Sequence, residues 1–155
     1  MADTAKERAS ARSAARLGAV QALYQMDIAG ADLADVLAEF GSGRLGEAFE
    51  DGECGKADFE FLKSLVKGVL DEQREIDPLI NERLASGWKL SRLDATLRAI
   101  LRAGAYELKH RPDVPPRASI SEYIDVAKAF FGGEEPKVVN GVLDNLAHAF
   151  EREGL

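Results

Sequence analysis

Cysteine is nearly absent. Cys54 is the only one in 155 residues, so no internal disulfide can staple the chain, and a lone thiol fits a reducing compartment. Lys56 is its one basic neighbour in the sequence, a setting that does not point to a reactive thiolate. Histidine occurs twice, at His110 and His148, and neither stands at metal-ligand spacing from another histidine or from the cysteine. No apolar run approaches the roughly 20 residues that a bilayer requires, so no membrane partner is expected. The stretch Met1 to Ser10 is charged and lacks the apolar centre of a signal peptide, which predicts a cytoplasmic protein. A Walker-type GxxxxGK[ST], a GxGxxG behind a strand and a GxSxG elbow are all missing. Carboxylates are plentiful, but no pair stands out, so no catalytic residue, metal or cofactor is expected.

What remains is ample material for a globular core. The chain is 46% hydrophobic and 30% charged, and its length favours one domain with a real interior. The net charge of -7 speaks against a general nucleic-acid binder, but the charge is unevenly spread. Residues 1–16 carry Lys6, Arg8, Arg12 and Arg16 against Asp3 and Glu7, a local balance of +2 that leaves -9 for the rest.

Apolar spacing is helical throughout, with no sustained strand alternation and no repeat. A long first helix is predicted from Ser10 to Ile28, with Leu17, Val20, Tyr24 and Ile28 as its main apolar face and Gly30 beyond its end. Asp32 is placed to cap a short helix carrying Leu33, Val36, Leu37 and Phe40. Residues 41–56, rich in glycine and acids, read as a surface loop. Helices then follow from about Asp58, with Leu62, Leu65, Val66 and Val69 inward, and around Pro78, with Ile76, Leu79, Ile80 and Leu84 apolar. Trp88 is placed to lock the next corner, after which Ser91 or Asp94 caps a strong helix to about Leu108 in which Gly104 permits close packing. Pro112, Pro115 and Pro116 make a stiff link. Ser119 and Glu122 have capping-box spacing before a helix with Ile120, Ile124, Ala127 and Phe131 on one face. Gly132 and Gly133 close it, and Pro136 suits the first turn of a last helix. That helix sets Val139, Val142, Leu143, Leu146 and Phe150 opposite a polar face of Lys137, Asn140, Asp144 and His148. The expected architecture is all-α, a compact bundle of about seven helices.

Arg8, Arg12 and Arg16 recur every four residues near a helix N-terminus, where cations oppose the macrodipole. The stripe reads either as a solvated helix end or as a phosphate-binding surface. Lys137 and Asn140, beside the N-terminus of the last helix, divide the same way between solvated surface and anion site. Tyr24 and Trp88 lie on apolar patterns and read as core or corner residues before base-stacking platforms.

Together the motifs resemble a known family. Arg12-Ser-Ala-Ala-Arg16 followed by Ala19-Val-Gln-Ala-Leu-Tyr-Gln25 is similar to the opening helix of the NusB antitermination factors. Leu93, Arg98-Ala-Ile-Leu-Arg102 and Tyr106-Glu-Leu108 resemble their central helix, and Asp113-Val-Pro115, Ile120-Ser-Glu122 and Val139-Asn-Gly-Val-Leu-Asp144 their C-terminal signature. The likeness covers nearly the whole chain and is weakest over residues 30–60.

The resemblance implies a NusB-like, all-helical, non-enzymatic RNA-binding domain over residues 1–155, in two helical sub-bundles, with residues 1–9 flexible. It implies pairing with NusE, a small-subunit ribosomal protein, binding of boxA-type single-stranded RNA from ribosomal RNA leaders, and a place in the RNA polymerase antitermination complex. The family also allows a homodimer. Its RNA surface maps to Arg12, Arg16, Glu134, Lys137, Val138 and Asn140, to which the stripe adds Arg8. Its partner surface maps to Tyr24 and to the corner before the central helix, here Ser91 and Asp94. Val138 stands where the family usually has an aromatic, so this end is expected to supply charge and hydrogen bonds more than stacking. Two other classes compete: a helical domain like that preceding RNA cytosine methyltransferases, for which no cofactor-binding fold follows in this chain, and a scaffold protein with no RNA ligand.

Overall fold

The computed structural model describes residues 5–41 and 56–155, with side chains from Ser10 and from Phe59 onward in each stretch. Most of the expected loop at 41–56 and part of the expected flexible segment at 1–9 lie outside those residues. The described residues form six α-helices and one 3-10 turn, and no strand. The chain divides into two compact units, the first reaching Lys67 and the second starting at Gly68.

In the first unit, α1 (Ala5–Ala29) stops just before Gly30, and α2 (Leu33–Glu39) packs against it. Asp32 caps α2 as expected, its Oδ1 accepting the Asp35 N–H at 2.9 Å. The inward face of α1 differs from the expected one. Ala11, Ala15, Ala19 and Ala22 are buried with Val20 and Leu23, whereas Tyr24 and Ile28 are exposed. Alanines three and four apart make a flat stripe that lets a neighbour approach closely, so residue size was a poor guide to which face packs. Val36 and Phe40 of α2 are buried, as the spacing predicts.

Helix α3 (Lys56–Arg83) runs through both units, and here the expected helix count fails. Pro78 lies inside a continuous helix, so two expected helices are one and the described residues hold six. Pro78 is exposed between buried Ile76 and Ile80. Its ring faces water, where the carbonyl one turn back can find a solvent partner, so the apolar face continues past it.

The second unit holds the rest of α3, a 3-10 turn (Leu90–Arg92), α4 (Ala95–His110), α5 (Pro116–Phe130) and α6 (Glu135–Ala149). Helices α4, α5 and α6 pack pairwise around Leu97, Ile100, Leu101, Leu108, Leu143 and Leu146, all essentially fully buried. Gly104 permits this approach, because a Cβ there would stand 2.7 Å from Leu143 Cδ1. Gly68 of α3 does the same for Tyr106, whose ring occupies the place a Cβ would take. Asp94 is the cap of α4, accepting the Thr96 N–H at 2.8 Å, while Ser91 lies in the 3-10 turn.

The Ser119–Glu122 capping box does not form. Helix α5 begins three residues earlier at Pro116, with Pro115 as its cap, because a proline suits the first turn of a helix. Ser119 is therefore inside the helix and buried. The α5 face centres on Tyr123 rather than Ile124: Ile120, Tyr123, Val126 and Ala127 are buried, and Ile124 and Phe131 only partly. The face of α6 is as expected for Val139, Val142, Leu143 and Leu146, which are buried, while Phe150 follows the helix as its cap and is only partly buried. Beyond α6, Arg152 donates to the carbonyls of Leu108 and Val114, both at 2.6 Å, and so holds the α4–α5 link against the chain's last residues.

Candidate nucleic-acid and partner positions

In the first unit, α1 carries Arg12 and Arg16 on the shoulder of its alanine stripe, one turn apart. Their guanidinium carbons lie 4.9 Å and 5.2 Å from the centroid of the Phe61 ring on α3. Arg12 is partly buried, while Arg16 is only 4% exposed and Phe61 3%. The stripe is thus no freely solvated helix end at these two positions. The side chain of Arg8 lies outside the described residues. Tyr24 is 40% exposed and Ile28, one turn further, 59%, so two large apolar side chains stand together on an open face of α1.

In the second unit, the predicted positions gather at the start of α6. Glu134 is the cap residue, with no side-chain capping bond, and its Oε2 lies 3.9 Å from Lys137 Nζ. Both side chains are largely exposed, so the pair is weak. Asn140 is exposed and Val138 half-buried. Two turns on from Asn140, His148 Nδ1 sits 2.9 Å from the Asp144 carbonyl. This face presents one ammonium, one amide and the uncapped first turn of a helix, the kind of group set that receives an anion.

The corner before α4 is firmly built. Asn81 Oδ1 accepts the Leu90 N–H at 3.0 Å, and Arg98 donates to the carbonyls of Leu90 and Leu93. Arg102 holds Asp77 with two bonds of 2.9 Å. Exposed Ser91 lines an open cleft of about 450 Å³ with Asn81, Arg98 and Arg102. Asp94 lies on a smaller cavity of about 160 Å³ beside half-buried Trp88, and Glu135 Oε1 of α6 is buried without a hydrogen-bond partner. Among the described residues no cluster of three His, Cys, Asp or Glu side chains could hold a metal ion.

The NusB family model matches residues 13–148. A transcription antitermination protein NusB from Rhodopseudomonas palustris (strain BisB18) is 53% identical over 148 residues, covering 96% of this chain and 88% of the relative. The chain belongs to the NusB family. Among solved structures, T. maritima NusB superposes with a TM-score of 0.73 at 30% identity, over 88% of this chain and 90% of that one. A crystal structure of antitermination factors NusB and NusE in complex with dsRNA gives 0.69 at 26% identity, over 94% and 99%. The all-α architecture, six helices among the described residues, is therefore a NusB fold, and of the motifs quoted from α1, α4, α5 and α6 only the first residue, Arg12, falls outside the matched stretch.

Two features of the site had no signal in the sequence. Phe61 reads there as one more apolar residue of α3, and nothing local pairs it with α1. Buried Arg16 was equally hidden, because a four-residue spacing does not say which side of a stripe faces the core.

Proposed function

We propose that this chain is a non-enzymatic, cytoplasmic transcription antitermination factor. With a NusE-type small-subunit ribosomal protein it binds boxA-type single-stranded RNA of ribosomal RNA leaders and joins the antitermination complex on RNA polymerase. The observation that carries this reading is 53% identity, over nearly the whole chain, to a protein named for transcription antitermination. In support, a solved relative of the same fold is described as a complex of NusB, NusE and RNA.

The residues divide the work by chemistry. Arg8, Arg12 and Lys137 contact phosphates, and Asn140 with the first-turn amides of α6 orients backbone or base edges. Glu134 and Val138 border that contact, with Val138 too small and too buried to stack as an aromatic would. Arg16 serves from behind, given its burial. The open Tyr24–Ile28 face and the Ser91 and Asp94 corner receive the basic protein partner, for which a body of charge -7 is electrostatically suited.

The experiment is a titration of labelled boxA RNA with the chain alone and with the ribosomal partner. Tight binding with the partner and weaker binding without it is the expected result. Arg12→Ala and Lys137→Ala should each lower affinity and reduce the salt slope by about one phosphate. A heterodimer whose affinity ignores both changes at physiological salt would sink the assignment. Sedimentation of wild type and Tyr24→Ala at several concentrations separates a partner surface from a homodimer surface.

A further inference from the structure

Resting on the RNA-binding reading above and deepening it, we propose that Phe130, at the end of α5, is a base-stacking platform of the RNA site. It supplies the aromatic contact that Val138 does not.

Position and burial disagree at this side chain. Phe130 stands three, four and seven residues after Ala127, Val126 and Tyr123, all buried, so it continues the inward face of α5. It is nevertheless 47% exposed, the one large apolar side chain so open among the described residues of the second unit. The helix ends there. Phe131 is the cap residue, with extended backbone, so the Phe130 ring overhangs the last turn instead of entering the core. Phe131 is partly buried and stands beside it, with ring centroids 6.5 Å apart and planes tilted by 52°, within the range of favourable aromatic pairs. The exposed ring is thus steadied from one side and open to water elsewhere.

Its surroundings fit a nucleic-acid ligand. Four steps of chain lead from Phe130 to Glu134, the cap residue of α6, a span of at most about 14 Å. Lys137, Asn140 and the first turn of α6, which no side chain caps, follow directly. The corner before α4 reaches the same end of the bundle, because Glu135 lines the cavity of about 160 Å³ together with exposed Lys89 and Arg92. Cations beside an open ring are the combination that holds single-stranded nucleic acid: the cations follow the phosphates and the ring takes a base. A protein partner would instead call for an apolar patch with little charge at its centre. Around Phe130 in the chain, Lys128, Gly132, Gly133 and Glu134 are all exposed and offer no such patch. Every base has a π-face, so the ring adds affinity without fixing which base it receives.

The test compares Phe130→Leu, which keeps an apolar side chain, with Phe130→Tyr, which keeps the ring. The probe is a labelled single-stranded boxA oligonucleotide, titrated across a salt series with the ribosomal partner present. Phe130→Leu should weaken binding about five- to twentyfold with the salt slope unchanged, since no phosphate contact is lost, and Phe130→Tyr should stay within about twofold of wild type. Oligonucleotides with one base removed at each position in turn then locate the contact. At one position the loss should be large for wild type and small for Phe130→Leu, the coupling expected of two groups that touch. An unchanged affinity in Phe130→Leu overturns the proposal, as does a flattened salt slope, a Phe130→Tyr as poor as Phe130→Leu, or the lack of any coupled position. A Phe130→Leu that weakens binding of the ribosomal partner equally without RNA also overturns it, because the ring then belongs to a protein contact. If wild type with its partner binds no RNA, the functional reading itself has failed and this one falls with it. Should Phe130→Leu not fold, the unmutated complex decides: nuclear Overhauser contacts between the Phe130 ring and base protons are required, and their absence overturns the platform.

Discussion

Tyr123 on α5 donates its hydroxyl to Glu107 Oε1 on α4 at 2.8 Å, and both residues are fully buried. Ser119, one turn earlier on α5, donates to the other carboxyl oxygen at 2.5 Å. One carboxyl group thus fixes the rotation and height of α5 against α4, which in turn sets where α6 begins. Removing one donor leaves a polar group buried and short of a partner, at a cost of about 1–3 kcal/mol. Tyr123→Phe should therefore lower stability by that amount with little change in the slope of a urea melt, since the ring still fills its place. A melt that matches wild type would mean the bond contributes nothing.

Glu72 on α3 forms ion pairs with Lys109, at 3.2 Å, and with His110, both in the last turn of α4. Burial alone would raise its pKa, but hydrogen bonds and attraction from His110 and Lys109 outweigh it, and the result lies below the ordinary value of 4.5. A carboxylate depressed in the folded state contributes stability that is fully present above its unfolded pKa and lost as pH falls through the folded one. Wild type should thus lose more stability than Glu72→Gln between about pH 5 and pH 3. The side chain is about a quarter exposed, so the difference will be modest. Parallel thermal melts across that range check it, and curves of equal slope would remove the pair from the acid response.

Gly68 and Tyr106 bring α3 and α4 together, with the ring where a Cβ would stand. Gly68→Ala should destabilise by about 1–3 kcal/mol through overpacking, despite alanine's better helix propensity. The cost should largely vanish in a Tyr106→Leu background, so a double-mutant cycle gives a coupling well above the roughly 0.5 kcal/mol typical of independent sites. Additive effects would place the strain elsewhere.

How much of this was legible in the sequence depends on how far each contact reaches along the chain. The faces of α4 and α6 were readable because large apolar residues recur at helical spacing and are the ones buried. Gly104 could be read because it sits on such a face. Gly68 could not, because the residue that needs its missing Cβ is 38 positions away. The face of α1 was misjudged because Leu17, Tyr24 and Ile28 outweigh alanines in any count of apolar size, while the helix buries the alanines. Ser119 matched a capping pattern, but the pattern cannot see that Pro116 has already begun the helix. At the candidate site, the polar positions of α6 were found because they oppose a clear apolar face. The partition between Arg12 and Arg16 was invisible, since it is made by a ring 45 positions beyond Arg16.

That partition separates stability from affinity. Arg16 is buried against Phe61, so Arg16→Ala leaves a void and removes a desolvated cation–π contact worth about 2 kcal/mol. Arg12 is partly solvated, and its contact with the same ring belongs to the weaker end of that range, about 0.5–1 kcal/mol. Thermal melts should therefore rank Arg16→Ala below Arg12→Ala. RNA titration should reverse the order in salt dependence: Arg12→Ala loses a phosphate contact and flattens the slope, whereas Arg16→Ala acts through the shape of the site and flattens it less. Equal melts, or a larger slope change in Arg16→Ala, would show that the two arginines do not divide their roles along the depth of the α1 surface.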